Sequence, residues 1–309
     1  MGKKIRVFAP ATVANVGPGF DMLGFALEKP GDIVEIEEID EPQIRIKLAE
    51  NNGLLTNPSK NTAGIGASET LKLLKINAGL ELTLHKNMPL GSGLGSSGAS
   101  AVAAAYGVNA LVGNKLSKLE LLEACTIAEK AACGSGHADN VAPSMLGGFT
   151  LIYSYNPLQI IQLPTPNNMV AVVVSPDFEL KTSHSRAVLP TEISLKNALS
   201  NCANLAAMVA AIYRNDVKLI GNSVSDHIVE PARASLIPGF TDVKKAALES
   251  GAYGCSISGA GPSVFAITDD ADLAAEIAKN MQDAFGNHGL KSTAYISKIN
   301  DKGAHEING

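Results

Sequence analysis

The sequence contains no tryptophan, few aromatic residues and only four cysteines, Cys125, Cys133, Cys202 and Cys255. The cysteines lie far apart, with no CxxC pair and no local histidine cluster beside them. This spacing differs from that of zinc ligands, and it predicts small, buried, reduced thiols.

Long apolar stretches are also missing. The Ala-rich run after Ser100 is interrupted by Tyr106, Gly107 and Asn109, so it is too short to span a bilayer. The apolar run near the N-terminus meets Pro10 and is too short for the apolar region of a signal peptide. We therefore expect no membrane association, no export and a cytoplasmic location.

Clusters of basic residues are missing as well. The formal net charge is −5, and no window combines lysine and arginine with aromatic residues as nucleic-acid-binding surfaces do. Nucleic acid is therefore not an expected partner, and any phosphate must bind at a local site.

What the chain does contain is enough apolar sequence for a large core. Its 309 residues are 46% hydrophobic, which favours two domains over one. In the first half, short Val-, Ile- and Leu-rich runs predict strands, and longer apolar stripes predict helices. The strands are predicted at 4–9, 33–39, 43–48, 80–86 and 148–154, and the helices at 62–75, 97–112 and 117–132.

The segment 156–168 has the most loop-like composition in the chain, with three prolines and three asparagines. It predicts a boundary between an N-terminal domain, 1–156, and a C-terminal domain, 165–309. After it come a predicted strand (169–175), a polar loop (176–191), helical segments, and a helix-strand-strand-helix-strand series ending near 298. Because helices and strands do not alternate regularly, an α+β fold is predicted rather than a doubly wound sheet.

A glycine-rich loop follows the predicted strand 80–86 and leads directly into a helix. Its sequence is PLGSGLGSSGA, from Pro89 to Ala99. Glycines allow backbone N–H groups to converge on an anion, and the positive end of the next helix adds to the attraction. Ser96 and Ser97 fall at the helix start, where a hydroxyl can cap the helix, bind phosphate or bind Mg²⁺. The loop therefore predicts a polyphosphate site.

Two alternatives apply to this loop. The first is a plain glycine turn with a serine cap, which explains most isolated matches. The second is a dinucleotide-binding oxidoreductase, because Gly93, Gly95 and Gly98 satisfy GxGxxG. That motif requires a second parallel strand after the helix, whereas here another helix, 117–132, is predicted. The sequence has no GxxxxGK[ST] motif either, so the loop is not of the Walker type.

Three motifs in this order resemble those of the GHMP kinases, a family of ATP-dependent kinases of small metabolites. They are PATVANVGPGFDMLGFAL (10–27), PLGSGLGSSGASA (89–101) and SISGAGPSVFAI (256–267), supported by GSGHADNVAPSMLGGF (134–149). The resemblance implies an N-terminal domain like the second domain of ribosomal protein S5, a ferredoxin-like C-terminal domain, and an active site between them. It also implies that ATP binds to Asn61 and to the loop Pro89, Leu90, Gly91, Ser92, Gly93, Leu94, Gly95, Ser96, Ser97, Gly98 and Ala99.

Within that family, the first motif and the segment 182–186 are most similar to the branch that phosphorylates homoserine. This resemblance implies transfer of the γ-phosphoryl group of ATP to the hydroxyl of L-homoserine, a step towards threonine, by a homodimer. Alternatives are another kinase of the family with a mevalonate-like acceptor, and a non-catalytic relative that binds metabolites.

An amino-acid substrate needs an anion for its ammonium group and cations for its carboxylate. The resemblance assigns Asp21 to the ammonium, Arg186 and Arg233 to the carboxylate, and Asn15 and His137 to further contacts. Guanidinium groups suit this role because they can bind a planar carboxylate through two hydrogen bonds. Without the motifs, the arginines would be interpreted as surface residues and Asp21 as a turn residue.

Glu129 falls at the edge of the apolar arc on the predicted helix 117–132. A carboxylate there needs a partner, because burying it unpaired is costly. A magnesium ion is one solution and a side chain bent towards solvent is the other. The resemblance favours Mg²⁺, with Ser97 as a second protein ligand.

The resemblance implies catalytic roles for Asn140, Thr182 and Arg186. Some relatives have an aspartate as a candidate base where this chain has Asn140, although Asp139 is adjacent. An amide cannot accept the proton, so we expect catalysis by alignment and charge stabilisation without a dedicated base. The third motif, around Gly259–Ser263, is expected to pack against the first glycine loop.

Overall fold

The computed structural model describes residues 3–50, 53–134 and 136–308, without the side chains of Ala132 and Cys133. The elements of the first part are, in chain order, β1 (Lys4–Ala14), β2 (Leu23–Ile39), β3 (Ile44–Leu48), α1 (Thr62–Leu74), β4 (Gly79–His85), α2 (Ser96–Leu111), α3 (Lys118–Cys133), α4 (Val141–Leu146), β5 (Phe149–Tyr155) and β6 (Leu158–Leu163). Those of the second part are β7 (Val170–Pro176), α5 (Thr182–Ala187), α6 (Leu195–Arg214), α7 (Val217–Asn222), α8 (Val229–Arg233), α9 (Phe240–Glu249), β8 (Gly254–Ile257), β9 (Val264–Thr268), α10 (Ala271–Asn287), β10 (Ser292–Lys298) and β11 (His305–Glu306).

The described residues of the first part form most of a seven-stranded sheet with the order β11-β1-β2-β4-β3, extended by β5 on β2 and β6 on β5. β3 and β4 are parallel and are connected through α1. β4 shows the alternation typical of a half-buried strand, with Leu80, Leu82 and Leu84 in the core. α2 is buried almost all round, because its alanines and glycines allow close packing against α1, β1 and β2.

The second sheet has the order β10-β7-β9-β8, and each of its pairs is antiparallel. Together with α9 and α10, this order gives the ferredoxin-like arrangement. The central strand β7 is buried on both faces. Val170, Val172 and Val174 pack with the helices α9 and α10, whereas Ala171 and Val173 belong to the larger core shared with the first sheet.

The structure confirms the predicted α+β class, but three predicted details differ. β2 begins at Leu23, well before the predicted strand at 33–39. The segment predicted as a boundary loop contains the strand β6. The prolines on both sides of this strand had indicated a continuous loop. The predicted polar loop at 176–191 contains the short helix α5.

The division into domains 1–156 and 165–309 stays a prediction. β6, which lies between those limits, pairs with β5, and the chain returns to the first sheet where β11 pairs with β1. Asn300 further ties the two parts together, since its N–H donates to Ala26 O and its carbonyl accepts from Gly148 N.

Of the cysteines, Cys125 and Cys255 are buried, as expected. Cys202 is exposed on α6, so the prediction of a buried thiol is wrong there, and the side chain of Cys133 lies outside the described residues. No helix in the described ranges has both the length and the apolar character needed to cross a membrane.

Candidate active site

Loops from both parts of the chain converge on one cavity of about 320 Å³. Its wall includes most of the residues predicted to bind substrate, nucleotide or metal. These are Asn15, Asp21, Asn61, Leu90, Gly91, Ser92, Gly93, Gly95, Ser96, Ser97, Gly98, Glu129, His137, Asn140, Thr182, Arg186 and Arg233. Three predicted loop residues lie elsewhere: Leu94 and Ala99 are buried in the core, and Pro89 lines a neighbouring cavity.

The glycine loop has the strand-loop-helix context that the sequence predicts. Gly95 precedes α2 with φ 71°, and a Cβ atom there would lie 2.2 Å from Thr12 Oγ1. Only glycine therefore fits both the left-handed backbone and the space. α2 begins at Ser96, so the free N–H groups of its first turn lie at the cavity wall. These features make this end of the cavity suitable for an anion.

The third motif packs against this loop, which confirms the expectation from the sequence. The Ser258 hydroxyl donates to Gly93 O at 2.8 Å, and the Ser263 N–H donates to Ser92 O at 3.0 Å. A Cβ atom on Gly93 would lie 2.4 Å from Ser258 O, so the close approach requires glycine. The second part of the chain thereby fixes the shape of the glycine loop.

A buried ion pair that the sequence analysis missed lies behind the loop. Lys86 donates to Asp32, to Ser96 O at 2.9 Å and to Ser100 Oγ at 2.8 Å. Asp32 also accepts from the Ser96 hydroxyl at 2.9 Å. Burial lowers the pKa of Lys86, although the charge of Asp32 opposes that effect. The pair holds the first turn of α2 from behind.

Ser97 and Glu129 lie beside each other on the cavity wall. Burial raises the pKa of Glu129, while its hydrogen bond with Ser97 and the charge of Lys86 act in the opposite direction. Hydroxyl and carboxylate oxygens are the hard ligands that Mg²⁺ prefers. Among the described residues, no group of three or more His, Cys, Asp and Glu side chains could hold a metal ion.

The charged end of the cavity is built around Asp21. Its carboxylate accepts two hydrogen bonds from Arg186, at 2.6 and 3.2 Å, and His137 Nδ1 lies 3.3 Å from it. Burial lowers the pKa of His137, the charge of Asp21 raises it, and the charges of Arg186 and Arg233 lower it further. Arg186, which the resemblance assigns to a substrate carboxylate, is thus paired with Asp21 in this structure.

Arg233, at the end of α8, is 2% exposed and donates to Ser185 O at 3.0 Å and Gly259 O at 2.9 Å. Burial and the neighbouring charge of Arg186 lower its pKa to about 10. The Phe20 ring lies 5.2 Å from the Arg186 guanidinium carbon and 5.1 Å from that of Arg233, a cation–π arrangement that the sequence analysis missed. Two cations therefore lie beside one carboxylate.

α5 carries two of the three predicted catalytic residues. Thr182 and Arg186 are four residues apart, which places them on the same face of the helix, and both line the cavity. The Ser185 hydroxyl anchors the helix by donating to Ala260 O at 2.9 Å.

Asn140 and Asp139 lie next to each other at the start of α4. Asn140 Oδ1 accepts from the Thr12 hydroxyl at 2.8 Å, which leaves its NH₂ group as the part of the amide that can face a substrate oxygen. Asp139 is 3% exposed and lines the cavity. Burial, with a smaller effect of Asp21, raises the pKa of Asp139 to about 7.

Asn61 lines the cavity from the N-terminus of α1, but its amide also has a structural role. Its Oδ1 caps the helix by accepting from Ala63 N at 3.0 Å, and its Nδ2 donates to Leu55 O at 2.8 Å. A role at the adenine stays a prediction.

Comparison with known proteins agrees with this geometry. The family profile for the GHMP kinases N terminal domain matches residues 63–148, and the GHMP kinases C terminal profile matches 208–287. The chain is 44% identical to a homoserine kinase of Chlorobium phaeobacteroides (strain BS1) over 99% of this chain and 100% of that protein. It is 47% identical to a homoserine kinase of Arabidopsis thaliana over 98% of this chain and 85% of that protein.

A solved structure gives the same result. The crystal structure of homoserine kinase from Cytophaga hutchinsonii superimposes with a TM-score of 0.95 at 47% identity, covering 99% of this chain and 98% of that one. The resemblance inferred from the motifs is therefore confirmed along nearly the whole chain. The chain belongs to the GHMP kinases and, within them, to the homoserine kinase family.

Proposed function

We propose that this kinase transfers the γ-phosphoryl group of ATP to the hydroxyl of L-homoserine, giving O-phospho-L-homoserine and ADP, a step towards threonine. One observation carries the proposal beyond family membership. A single cavity joins an anion-binding glycine loop to a charged end where Asp21 lies beside Arg186 and Arg233. This combination suits a nucleotide at one end and an amino acid at the other.

The charged end supports a zwitterionic substrate. Asp21 pairs with the ammonium group, and the two arginines pair with the carboxylate. A zwitterion can replace both halves of the Asp21–Arg186 ion pair, whereas an uncharged alcohol that separated the pair could compensate neither charge. Arg186 also keeps a buried Nε donor that has no hydrogen-bond partner among the described residues, which adds to its capacity for an anionic ligand.

For the nucleotide, we propose that residues 91–98 surround the phosphates of ATP. The N-terminus of α2 attracts their charge, and Gly93 and Gly95 allow the backbone to approach them closely. Ser97 and Glu129 would hold Mg²⁺, with oxygens of the nucleotide and water as its other ligands. When bound, this ion would neutralise part of the phosphate charge and orient the triphosphate.

We propose that catalysis relies on alignment and charge. The Asn140 NH₂ group and the Thr182 hydroxyl would position the substrate hydroxyl, and the Arg186 guanidinium would stabilise negative charge on the transferred group. The candidate base of some relatives corresponds to Asn140, whose amide cannot accept a proton, so no base is assigned. The neighbouring Asp139, whose pKa burial raises to about 7, is the side chain that tests this. In this account the proton leaves without a dedicated side-chain base.

We further propose that the protein acts as a homodimer in the cytoplasm, where ATP is available. α6 supports the dimer: it has no charged residue between 197 and 213, yet Leu195, Leu199 and Tyr213 are 75%, 60% and 61% exposed. Sedimentation velocity should show a dimer that Leu199→Glu converts to a monomer. A monomeric wild-type protein at micromolar concentration would contradict the dimer.

The proposed reaction is tested with an acceptor panel. The purified protein is incubated with MgATP and L-homoserine, mevalonate, galactose or no acceptor, while ADP release is recorded and the product is weighed by mass spectrometry. We expect homoserine-dependent ADP and O-phosphohomoserine. ADP release that depends on mevalonate or galactose, and not on homoserine, would overturn the proposed substrate.

A further inference from the structure

The loop that carries Asp21 has an unusual backbone. Asn15, Val16 and Asp21 have φ values of 67°, 46° and 58°, in the left-handed region that side chains other than glycine rarely adopt. Such conformations persist only where surrounding contacts hold them, and they concentrate at functional sites. The position of the Asp21 carboxylate therefore depends on whatever fixes this loop.

Asn15, which belongs to the first motif (10–27), provides two of these contacts. Asn15 Oδ1 accepts from the Asp21 N–H at 3.0 Å, and its Nδ2 donates to Gly259 O at 2.8 Å. Asn15 thus fixes the N–H side of Asp21 against the third motif. The carbonyl side of Asp21 needs a separate partner.

That partner is Tyr155, the last residue of β5. Its hydroxyl donates to Asp21 O at 2.6 Å and accepts from the Ala138 N–H at 3.2 Å. Ala138 lies between His137, whose Nδ1 is 3.3 Å from the Asp21 carboxylate, and the buried Asp139. The Tyr155 and His137 rings also meet edge to face, with centroids 6.4 Å apart.

We propose that Tyr155 is a positioning residue for the amino-acid substrate. Its single hydroxyl joins the loop of Asp21 to the segment 137–140, and so sets the distance between the ammonium-binding carboxylate and the residues beside the reacting hydroxyl. This inference rests on the proposed function. Tyr155 itself need not touch the substrate.

The test is Tyr155→Phe, which removes one oxygen and keeps the ring. The matched control is Tyr153→Phe on the same strand, where the tyrosine is 60% exposed and lies outside the cavity wall. Losing two ordinary hydrogen bonds should raise KM for L-homoserine about five- to twentyfold in Tyr155→Phe. KM for ATP should match that of Tyr153→Phe. An unchanged KM for homoserine in an active protein would overturn the inference, and so would an equal rise for both substrates.

A second measurement does not depend on the substrate. In hydrogen–deuterium exchange without ligands, Tyr155→Phe should speed exchange at Ala138 and in the loop 15–22, while Tyr153→Phe should match the wild type. If the wild type does not use homoserine, the proposed function fails, and exchange alone decides whether the hydroxyl orders the loop. Equal exchange in the two variants would overturn the positioning role.

Discussion

Asp21 and Arg186 lie 165 residues apart in sequence, yet they meet through two hydrogen bonds across the cavity, at 2.6 and 3.2 Å. Asp21 follows β1 in the first part of the chain, and Arg186 belongs to α5 in the second. Each neutralises the other in the free protein. We propose that binding of a zwitterion exchanges this contact for two contacts with the substrate, and that the pair thereby influences acceptor choice.

Removing either charge should weaken use of the amino acid selectively. A charge-assisted hydrogen bond contributes about 1.5–3 kcal/mol, so Asp21→Asn and Arg186→Met should each lower kcat/KM for L-homoserine about tenfold to a hundredfold. KM for ATP should change little, and Arg45→Met, at an exposed arginine, serves as the control. Steady-state kinetics with each substrate varied in turn checks this. A comparable rise in KM for ATP would contradict the substrate-binding roles assigned to Asp21 and Arg186.

Gly95 and Gly98, both in the glycine-rich segment, should respond in opposite ways to substitution by alanine. At Gly95 the backbone is left-handed and a Cβ would lie 2.2 Å from Thr12 Oγ1, so Gly95→Ala should raise KM for ATP at least tenfold or prevent folding. At Gly98, inside α2, the nearest atom would be Val141 Cγ1 at 3.1 Å. Gly98→Ala should be near neutral or stabilise by up to about 1 kcal/mol, because alanine favours helix. Urea unfolding and ATP kinetics distinguish these outcomes, and equal losses would contradict the account.

The glycine loop was predictable because its information is local. A strand, a glycine-rich loop and a helix occur in sequence order, and that order indicates an anion site. The resemblance brought distant residues such as Asn15 and Arg233 to the same site. The sequence could not reveal the contacts made by folding: Lys86 meets Asp32 from 54 residues away, and the Tyr155 hydroxyl meets Asp21 from 134 residues away.

Contacts that form only on folding also explain where the predicted and observed secondary structure differ. α5 has only six residues, so its helical pattern was too short to recognise among polar neighbours. β6 lies between Pro157 and Pro164, and the turn signals on both sides concealed it. In each case the local sequence was ambiguous, and tertiary packing determined the secondary structure of the segment.

The Lys86–Asp32 pair should be important for stability. Lys86→Met would leave the fully buried Asp32 carboxylate without its cation, which should destabilise the protein by about 3–5 kcal/mol. The double variant with Asp32→Asn should recover part of that loss. Lys47→Met, which breaks the pair of the exposed Lys47 with the partly buried Glu81, should cost no more than about 1 kcal/mol. Urea unfolding of the four proteins provides the comparison, and an equal cost for both single variants would contradict the importance of the buried pair.

The variant Asp139→Asn distinguishes catalysis by a side-chain base from catalysis by substrate alignment and charge stabilisation. If no dedicated base exists, Asp139→Asn should keep kcat within about tenfold of the wild type, since general base catalysis contributes about 10²–10⁴-fold. Single-turnover rates of phosphoryl transfer measure this directly. Abolished turnover in a folded variant that still binds both substrates would contradict the base-free account.

The same variant tests the raised pKa of Asp139 through stability. With a folded-state pKa of about 7 against an ordinary value of 3.8, the folded protein binds more protons than the unfolded chain between those pH values. The free energy of unfolding of the wild type therefore falls as pH rises through this window. Asp139→Asn does not show this decrease, because asparagine does not titrate. The stability of Asp139→Asn relative to wild type should rise by at least about 1 kcal/mol from pH 5 to pH 8. Urea unfolding at both pH values checks this, and a constant difference would contradict it.

The most direct test of the central claim is to compare kcat/KM for L-homoserine with kcat/KM for 4-hydroxybutanoate, which keeps the hydroxyl and the carboxylate but lacks the ammonium group. If Asp21 recognises that ammonium, the wild type should prefer homoserine at least tenfold and yield O-phosphohomoserine. Asp21→Asn should reduce the preference towards unity. Equal use of the two acceptors by the wild type, or an unchanged preference in Asp21→Asn, would contradict the account.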